Sequence, residues 1–173
     1  TVLQFGTENE IVVKADNKAR PDVIPVNQNL FGVYGGIYRP VWLIVTEQNN
    51  ITVTDCASPG VYITQKNVSK KSADITVKVK LDNAGLQPAA LTLENAIYTQ
   101  DGRKVSVHSQ SFDLTPQGTQ TYTSTFKMKD PHLWHGRKDP YLYKVVCKLM
   151  ADGKVIDEVV QPLGVRKYEI VAG

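Results

Sequence analysis

The feature that most constrains the fold of this chain is an alternation of apolar and polar residues that recurs along most of its length. Residues 73–81 (ADITVKVKL) show it most clearly, because four apolar side chains fall on one face and two lysines on the other. Such period-two alternation is typical of a half-buried β-strand. No window of a dozen residues shows the 3.6-residue periodicity of an amphipathic helix. The sequence therefore predicts an all-β protein.

Seven short strands are predicted in the C-terminal two thirds of the chain. They cover residues 51–55, 61–65, 73–81, 91–98, 120–128, 141–150 and 154–165. Asp101–Gly102 and Asp152–Gly153 are strong hairpin-turn signals between such runs. Strands spaced at about 8–12 residues with turns between them indicate an immunoglobulin-like β-sandwich. We assign it to residues 51–173, without the Cys…Trp…Cys spacing of antibody domains.

The N-terminal part of the chain is organised differently. Residues 10–16 (EIVVKAD) predict a strand, and a proline-containing loop follows at 18–29. Gly35 and Gly36 then predict a turn into a strand from residue 37 to about residue 45. The polar run at 46–50 marks a domain boundary, so residues 1–50 form a separate part with too few strands to be stable alone.

Composition and charge exclude several classes of function. The net charge is +3, and the lysines are scattered without interleaved aromatics, so a nucleic-acid surface is not expected. No apolar stretch approaches the roughly 20 residues of a membrane span. The two cysteines can be a disulfide or two unpaired thiols. We favour unpaired thiols, with Cys147 as a small core residue, and cysteine use does not determine the compartment.

The usual catalytic arrangements are not visible in the sequence. Its 17 acidic residues lie mostly in predicted turns or on solvent faces, rather than in a pair suited to acid–base catalysis. His132 and His135 have a spacing that a zinc site on a helix could use, but Pro131 and Gly136 favour a loop there. Neither a nucleophilic serine motif nor a phosphate-binding glycine loop is present. We expect no catalytic residues, no metal and no cofactor in this chain.

Two aromatic loops remain as candidates for binding. The first, NLFGVYGGIYR, combines aromatic residues with three glycines, which suits stacking on a sugar face. The second, DPHLWHGRKDPYLY, places Trp134 and Tyr141 beside prolines and a charged turn. The alternative for both loops is that the aromatics fill the end of a sandwich or a junction between domains.

Three segments carry a resemblance to a known family. VVKADN, the proline-containing loop and GGIYRPVWL together resemble the end of the N-terminal jelly-roll domain of glycoside hydrolase family 2. DPHLWHGRKDPYLYKV resembles a segment of that family's immunoglobulin-like second domain, and PLGVRKYEI is similar to its junction with the catalytic barrel. The family includes β-galactosidases, β-glucuronidases and β-mannosidases.

The resemblance implies that the chain is a middle portion of a longer enzyme. It would contain the end of a partial jelly-roll, sugar-binding-like domain at 1–50 and the whole sandwich at 51–173. Both catalytic glutamates of the family lie in a (β/α)₈ barrel, which would follow residue 173, and hydrolysis proceeds there with retention. The partners implied are a carbohydrate, bound through the whole enzyme, and the catalytic barrel of the same polypeptide.

The resemblance also assigns roles to individual residues. A jelly-roll loop reaches the rim of the active site in some members, and here Gln28, Asn29, Phe31 and Tyr34 would form that substrate rim. Leu30 stands where those members have a sugar-binding aspartate. The implied domain-interface residues are Arg39, Trp134, Tyr143 and Arg166.

Two hypotheses of different classes follow. In the first, the chain is the non-catalytic portion of a β-galactosidase-like enzyme, for which a periplasmic or secreted bacterial location is the interpretation we favour. In the second, it is a stand-alone carbohydrate-binding or fibronectin-like adhesion module. We further expect the jelly-roll strands to dock on the sandwich or pair with a second copy, because exposed strand edges are templates for association.

Overall fold

The computed structural model describes residues 3–4, 6–16, 18, 21–22 and 36–168 of the chain. The chain divides into two compact units, Thr1–Ile44 and Val45–Gly173. All strands of the described residues lie in the second unit. None of the described residues forms a helix long and apolar enough to cross a membrane.

Eight β-strands make up the second unit. They are β1 (Asn49–Ile51), β2 (Val61–Lys66), β3 (Ser72–Asn83), β4 (Ala89–Tyr98), β5 (Lys104–Leu114), β6 (Gly118–Lys129), β7 (Tyr143–Ala151) and β8 (Lys154–Leu163). All pairings between them are antiparallel. The protein is therefore all-β, as its alternation predicts.

The strands form two four-stranded sheets. In the first sheet, β3 is central and pairs with β6 on one side and with both β1 and β2 on the other. In the second sheet the order is β5-β4-β7-β8. Because one face of each sheet is apolar, the two sheets pack face to face and bury those faces together.

The core lies between the two sheets and follows the predicted alternation. Ile75, Val77, Val79 and Leu81 of β3 are all fully buried. The second sheet adds a matching row from β7, listed in order as Tyr143, Val145, Cys147 and Leu149. Full burial of one such aliphatic side chain stabilises the fold by about 1.5–3 kcal/mol. Cys147 is buried and Cys56 is exposed, and neither forms a disulfide.

The two predicted hairpin turns are confirmed. Asp101–Gly102 lies in the connection from β4 to β5, where the Gly102 N–H donates to the Thr99 carbonyl at 3.0 Å. Asp152 and Gly153 alone connect β7 to β8, with φ of +49° and +73°. Two successive positive φ values are typical of the type I′ turn, whose backbone twist matches that of the two strands it joins.

Three strand predictions are wrong in position or in kind. The strand predicted at 51–55 is β1 at Asn49–Ile51, so the predicted boundary at residue 50 falls inside a strand. Residues 10–16 and 37–45 were predicted as strands, but among the described residues neither range is in a sheet. Their apolar side chains are exposed, for example Val12 at 82% and Trp42 at 80%. Alternation defines the two faces of a strand, whereas a sheet also requires a neighbouring strand to bond with.

The connection between β1 and β2 explains why the first strand is short. The chain stops pairing with β3 after Thr52, whose N–H donates to the Lys80 carbonyl at 3.0 Å, and pairs with it again at Gly60, whose carbonyl accepts the Lys80 N–H at 2.9 Å. Gly60 has a φ of +70°, and a Cβ placed on it would lie 2.5 Å from the Thr52 carbonyl oxygen. Residues 52–60 therefore form a bulge in the edge of the first sheet that depends on glycine at its end.

Candidate functional site

The loop that joins β6 to β7, residues 130–142, contains all but the last residue of the aromatic segment DPHLWHGRKDPYLY and carries the first part of the candidate site. We call it the crossover loop, because it passes from one sheet to the other. His135 and Asp139 form an isolated antiparallel bridge within it, in which the His135 N–H donates to the Asp139 carbonyl at 2.7 Å. The loop thus contains its own small hairpin.

Stacked rings and one side-chain hydrogen bond hold the crossover loop in place. The rings of His132 and Tyr141 stack with centroids 4.0 Å apart, and the ring of Tyr143 meets Tyr141 edge-on at 5.0 Å. His132 Nε2 lies 2.7 Å from Asp139 Oδ2. These contacts tie the start of the loop to its end.

Tyr143 anchors the loop to the core. Its side chain is buried, and its hydroxyl accepts the His132 N–H at 2.8 Å. Burial raises the pKa of the Tyr143 phenol, and the hydrogen bond from His132 opposes that shift. We therefore assign Tyr143 to support of the crossover loop, with its side chain below the surface rather than on it.

The second part of the site is residues 164–166, which we call the exit segment because they follow the end of β8. Each of its three residues makes a backbone hydrogen bond to another part of the sandwich. The Gln65 amide donates to the Gly164 carbonyl at 3.2 Å and accepts the Arg166 N–H at 3.0 Å. The Trp134 N–H donates to the Val165 carbonyl at 2.8 Å. The exit segment is thereby fixed from β2 and from the crossover loop.

Trp134 brings the two parts together. The Arg166 guanidinium lies over its ring, 4.9 Å from the centroid. Gly164 packs so closely against it that a Cβ on Gly164 would lie 3.2 Å from Trp134 Cγ. An open cleft of about 380 Å³ borders this cluster and is also lined by Leu142. One face of Trp134 is occupied by a cation, so that face does not offer a stacking platform for a sugar.

The residues predicted from sequence divide into three groups. Of the predicted interface residues, Trp134 and Arg166 lie in direct contact and Tyr143 is buried at the start of β7; the interface role of all three stays a prediction. Arg39 is exposed and its guanidinium lies 5.4 Å from the centroid of the Tyr38 ring, and its interface role stays a prediction. The predicted substrate rim lies outside the described residues: Gln28, Asn29, Phe31 and Tyr34.

Gln65 is the residue that sequence reasoning missed. It lies 101 positions before Arg166, and nothing in the strand VYITQ distinguishes it from other polar strand residues. Its amide pairs with a backbone segment as another peptide group would, so only the fold reveals its role.

A second polar cluster lies beside the bulge at 52–60. Lys80 Nζ is 2.8 Å from Asp55 Oδ2, and the Tyr62 hydroxyl donates to the same oxygen. Ser58 Oγ is 2.7 Å from the Tyr62 hydroxyl. The hydrogen bond from Lys80, and then that from Tyr62, lower the pKa of Asp55 below its ordinary value. The cluster closes the bulge onto β3.

The carboxylates whose partners are seen serve structural contacts. Asp157 accepts the Ile51 N–H at 2.7 Å and so links β8 to β1. Glu158 lies 3.5 Å from Lys148 on the neighbouring strand. Within the described part of the chain, no three His, Cys, Asp or Glu side chains are grouped as metal ligands would be.

Comparison with known proteins gives a family match. The model of the family described as "Glycosyl hydrolases family 2" matches residues 59–166. This range begins at the end of the bulge and finishes at the exit segment, so it coincides with the sandwich from β2 onward.

Curated relatives and solved structures agree with the family match. A β-glucuronidase from Bacteroides fragilis is 38% identical over 96% of this chain, which covers 24% of that relative. A crystal structure of a provisionally named β-galactosidase from B. fragilis is 91% identical, with a TM-score of 0.89 over 92% of this chain and 24% of that one. β-glucuronidase 2 from Bacteroides uniformis is 27% identical, with a TM-score of 0.83 over 88% of this chain and 18% of that one. The chain thus spans between 18% and 24% of the length of the first relatives it matches.

Proposed function

This chain belongs to glycosyl hydrolases family 2, and on that premise we propose that it is the non-catalytic β-sandwich portion of a retaining glycosidase. The observation that carries the proposal is the extent of the match. The family match follows the sandwich, whereas the curated relative at 38% identity is about four times as long as the part that this chain covers. The chemistry would then be performed by the remaining portion of the enzyme.

In the retaining mechanism that the family resemblance implies, two carboxyl groups act on one glycosidic bond. One carboxylate attacks the anomeric carbon and forms a covalent glycosyl-enzyme, while the other first protonates the leaving group and then activates water. The contacts of Asp55, Asp139 and Asp157 serve the sandwich instead, because each is held by a lysine, a histidine or a backbone N–H. We therefore assign a supporting role to the residues of this chain.

The supporting role is mechanical. The exit segment is fixed by Gln65 and Trp134 at three consecutive residues, so the direction in which the chain leaves the sandwich is defined. Catalysis depends on reacting groups held to within fractions of an ångström. A sandwich that fixes this direction would help to hold the next portion of the enzyme in place.

The substrate we propose is a terminal β-glycoside. The names of the relatives offer two choices, since the relative at 38% identity is a β-glucuronidase and the 91% identical structure carries a β-galactosidase name. We favour the galactoside, with a rim loop formed by Gln28, Asn29, Phe31 and Tyr34. The glucuronide is the competing substrate.

The proposal is tested by comparing the full-length enzyme with this chain. We expect the full-length enzyme to hydrolyse 4-nitrophenyl β-D-galactoside, with 4-nitrophenyl β-D-glucuronide as the parallel assay, and this chain alone to hydrolyse neither. Phe31→Ala and Tyr34→Ala in the full-length enzyme should raise KM if the rim loop contacts sugar. Hydrolysis by the chain alone would refute the supporting role.

Isothermal titration calorimetry separates the proposal from the stand-alone binding module. Under our proposal, galactose and methyl β-galactoside release no binding heat with this chain. Millimolar or tighter binding by the chain alone would favour the carbohydrate-binding module instead. The cation over Trp134 argues against that outcome, because it covers a ring face that a sugar would need.

A further inference from the structure

Arg166 is held in a fixed position but has no acidic partner among the described residues. Its backbone N–H donates to Gln65 Oε1 at 3.0 Å, and its guanidinium lies 4.9 Å from the centroid of the Trp134 ring. The ion pairs seen in the described residues use other cations, Lys80 and Lys148. Among the described residues, the guanidinium is therefore positioned without a counter-charge.

The surroundings of Arg166 favour an anion. The side chain borders a cleft of about 550 Å³, which we call the Arg166 cleft, lined by residues 64–68 and 166–168. Lys66 and Lys167 are in the same lining, and none of the described lining residues is a carboxylate. The closest acid in register, Asp74 opposite Lys66, accepts a hydrogen bond from Asn67 at 2.7 Å. The positive charges of Arg166 and Lys66 would therefore attract a negatively charged group into this cleft.

The stacked geometry makes Arg166 suited to bind a carboxylate in particular. An arginine offers a planar fork of N–H donors that matches the two oxygens of a carboxylate, and stacking on an aromatic ring leaves the edge of that fork free. Because the backbone and the ring already restrict the side chain, less conformational entropy is lost on binding. Trp134 and Gln65 act as positioning residues for this contact.

We propose that Arg166 forms an ion pair with an Asp or Glu side chain of the polypeptide that follows the sandwich in the full-length enzyme. This inference rests on the proposed function and names the partner that the exit segment meets. The partner is on the same polypeptide, so its effective concentration at the Arg166 cleft is high. The pair locks the junction at the point where the chain leaves β8.

Hydrogen–deuterium exchange on the full-length enzyme tests the ion pair. The readout is the exchange rate of the peptide that contains residues 164–168, in Arg166→Met, in Arg166→Lys and in Arg137→Met as the matched control. Arg137 is an exposed arginine of the crossover loop. Loss of one charge-assisted hydrogen bond changes the equilibrium constant for local opening by about 10- to 100-fold. We therefore expect R166M to accelerate exchange by that factor. R166K should lie between R166M and the wild type, and R137M should match the wild type.

Salt dependence separates an ion pair from a packing effect. Between 0.05 and 1 M NaCl, at about the concentrations where screening becomes severe, exchange should accelerate in the wild type and stay constant in R166M. Gln65→Leu should accelerate exchange while keeping the salt dependence, since it loosens the position of Arg166 but retains its charge. Equal exchange in R166M and R137M, or a salt response that survives in R166M, would overturn the proposal.

A charge swap identifies the partner. Arg166→Glu should lose the protection, and a second change of the partner acid to arginine should restore it. Each Asp and Glu of the polypeptide that follows the sandwich is changed to arginine in turn in the R166E background. If none of these changes restored protection, the ion pair would be overturned. The alternative that the Arg166 cleft binds a free sugar acid is tested by NMR. This chain is titrated with sodium acetate and with D-glucuronate, and the Arg166 Nε–H signal is followed. Saturation by glucuronate at concentrations where acetate has no effect would show a uronate site and overturn the proposed protein partner.

Hydrolysis by the full-length enzyme is recorded for every variant. If the R166M enzyme is active and its 164–168 peptide exchanges at the wild-type rate, the ion pair is contradicted but the supporting role of the sandwich is not. Hydrolysis by this chain alone contradicts the proposed function whatever the exchange rates are.

Discussion

Replacing Gly60 with alanine tests whether the bulge at 52–60 is set by backbone geometry. Gly60 is in the left-handed region at a φ of +70°, and its carbonyl accepts the Lys80 N–H at 2.9 Å. An added Cβ would lie 2.5 Å from the Thr52 carbonyl oxygen and 2.9 Å from Ile51 Cγ2. The substitution therefore combines an unfavourable φ with a clash against backbone that cannot rotate away.

The expected loss of stability is about 3–5 kcal/mol. The left-handed conformation costs an alanine about 1 kcal/mol relative to glycine. Overpacking against a rigid neighbour costs about 1–3 kcal/mol. The shift that relieves the clash also weakens the bond from Lys80 to Gly60, which is worth about 1 kcal/mol. These contributions belong to one local site and act together.

Gly153→Ala is the matched control, because Gly153 has a φ of +73° and nothing lies within 4 Å of its added Cβ. Urea unfolding followed by Trp134 fluorescence, in a Trp42→Phe background that leaves one tryptophan, measures both variants. We expect Gly153→Ala to cost about 1 kcal/mol, the conformational cost alone. If the two variants agreed within about 0.5 kcal/mol, the clash with Thr52 would not exist and the bulge would have another cause.

Two further predictions concern ionisable groups. Because Lys80 and Tyr62 lower the Asp55 pKa in the folded state, the ionised carboxylate stabilises the fold above its ordinary pKa of 3.8, and this stabilisation is lost as the pH falls through the lowered value. Asp55→Asn should thus be less stable than the wild type at pH 7 in urea unfolding, and the gap should narrow below pH 3.8; a gap that stays constant with pH would contradict the assignment. Burial raises the pKa of the Cys147 thiol to about 12, so Ellman's reagent should modify the exposed Cys56 in the folded chain and Cys147 after unfolding. Rapid modification of both thiols in the folded chain would contradict the buried position of Cys147.

Local pattern was enough to predict most strands of the sandwich but not β5 (Lys104–Leu114), whose side chains are mostly exposed. In β3 the alternation of Ile75, Val77, Val79 and Leu81 determined which face is buried, and the structure confirms all four. The hairpins at Asp101–Gly102 and Asp152–Gly153 were predictable for the same reason, since a two-residue signal specifies a turn. Trp134 and Arg166 were named as candidates through the family resemblance, and they lie in contact.

Features that depend on distant partners were not predictable from pattern. The strand-like runs at 10–16 and 37–45 resemble β3 in their sequence, but a strand exists only with a hydrogen-bonded neighbour. Gln65 is a second case, because its amide acts on Gly164 and Arg166 about a hundred residues away. The Gly60 bulge is a third, since its need for glycine arises from the Thr52 carbonyl across the loop.

The interrupted edge of the first sheet also bears on how a long polypeptide avoids errors during its synthesis. Along that edge β1 offers three residues and β2 six, with the bulge at 52–60 between them. A strand from a neighbouring domain that emerges from the ribosome before its own partners meets no continuous row of free N–H and C=O groups on which to extend. The interruption thus makes this edge of the first sheet a poor template for pairing with a strand of another domain.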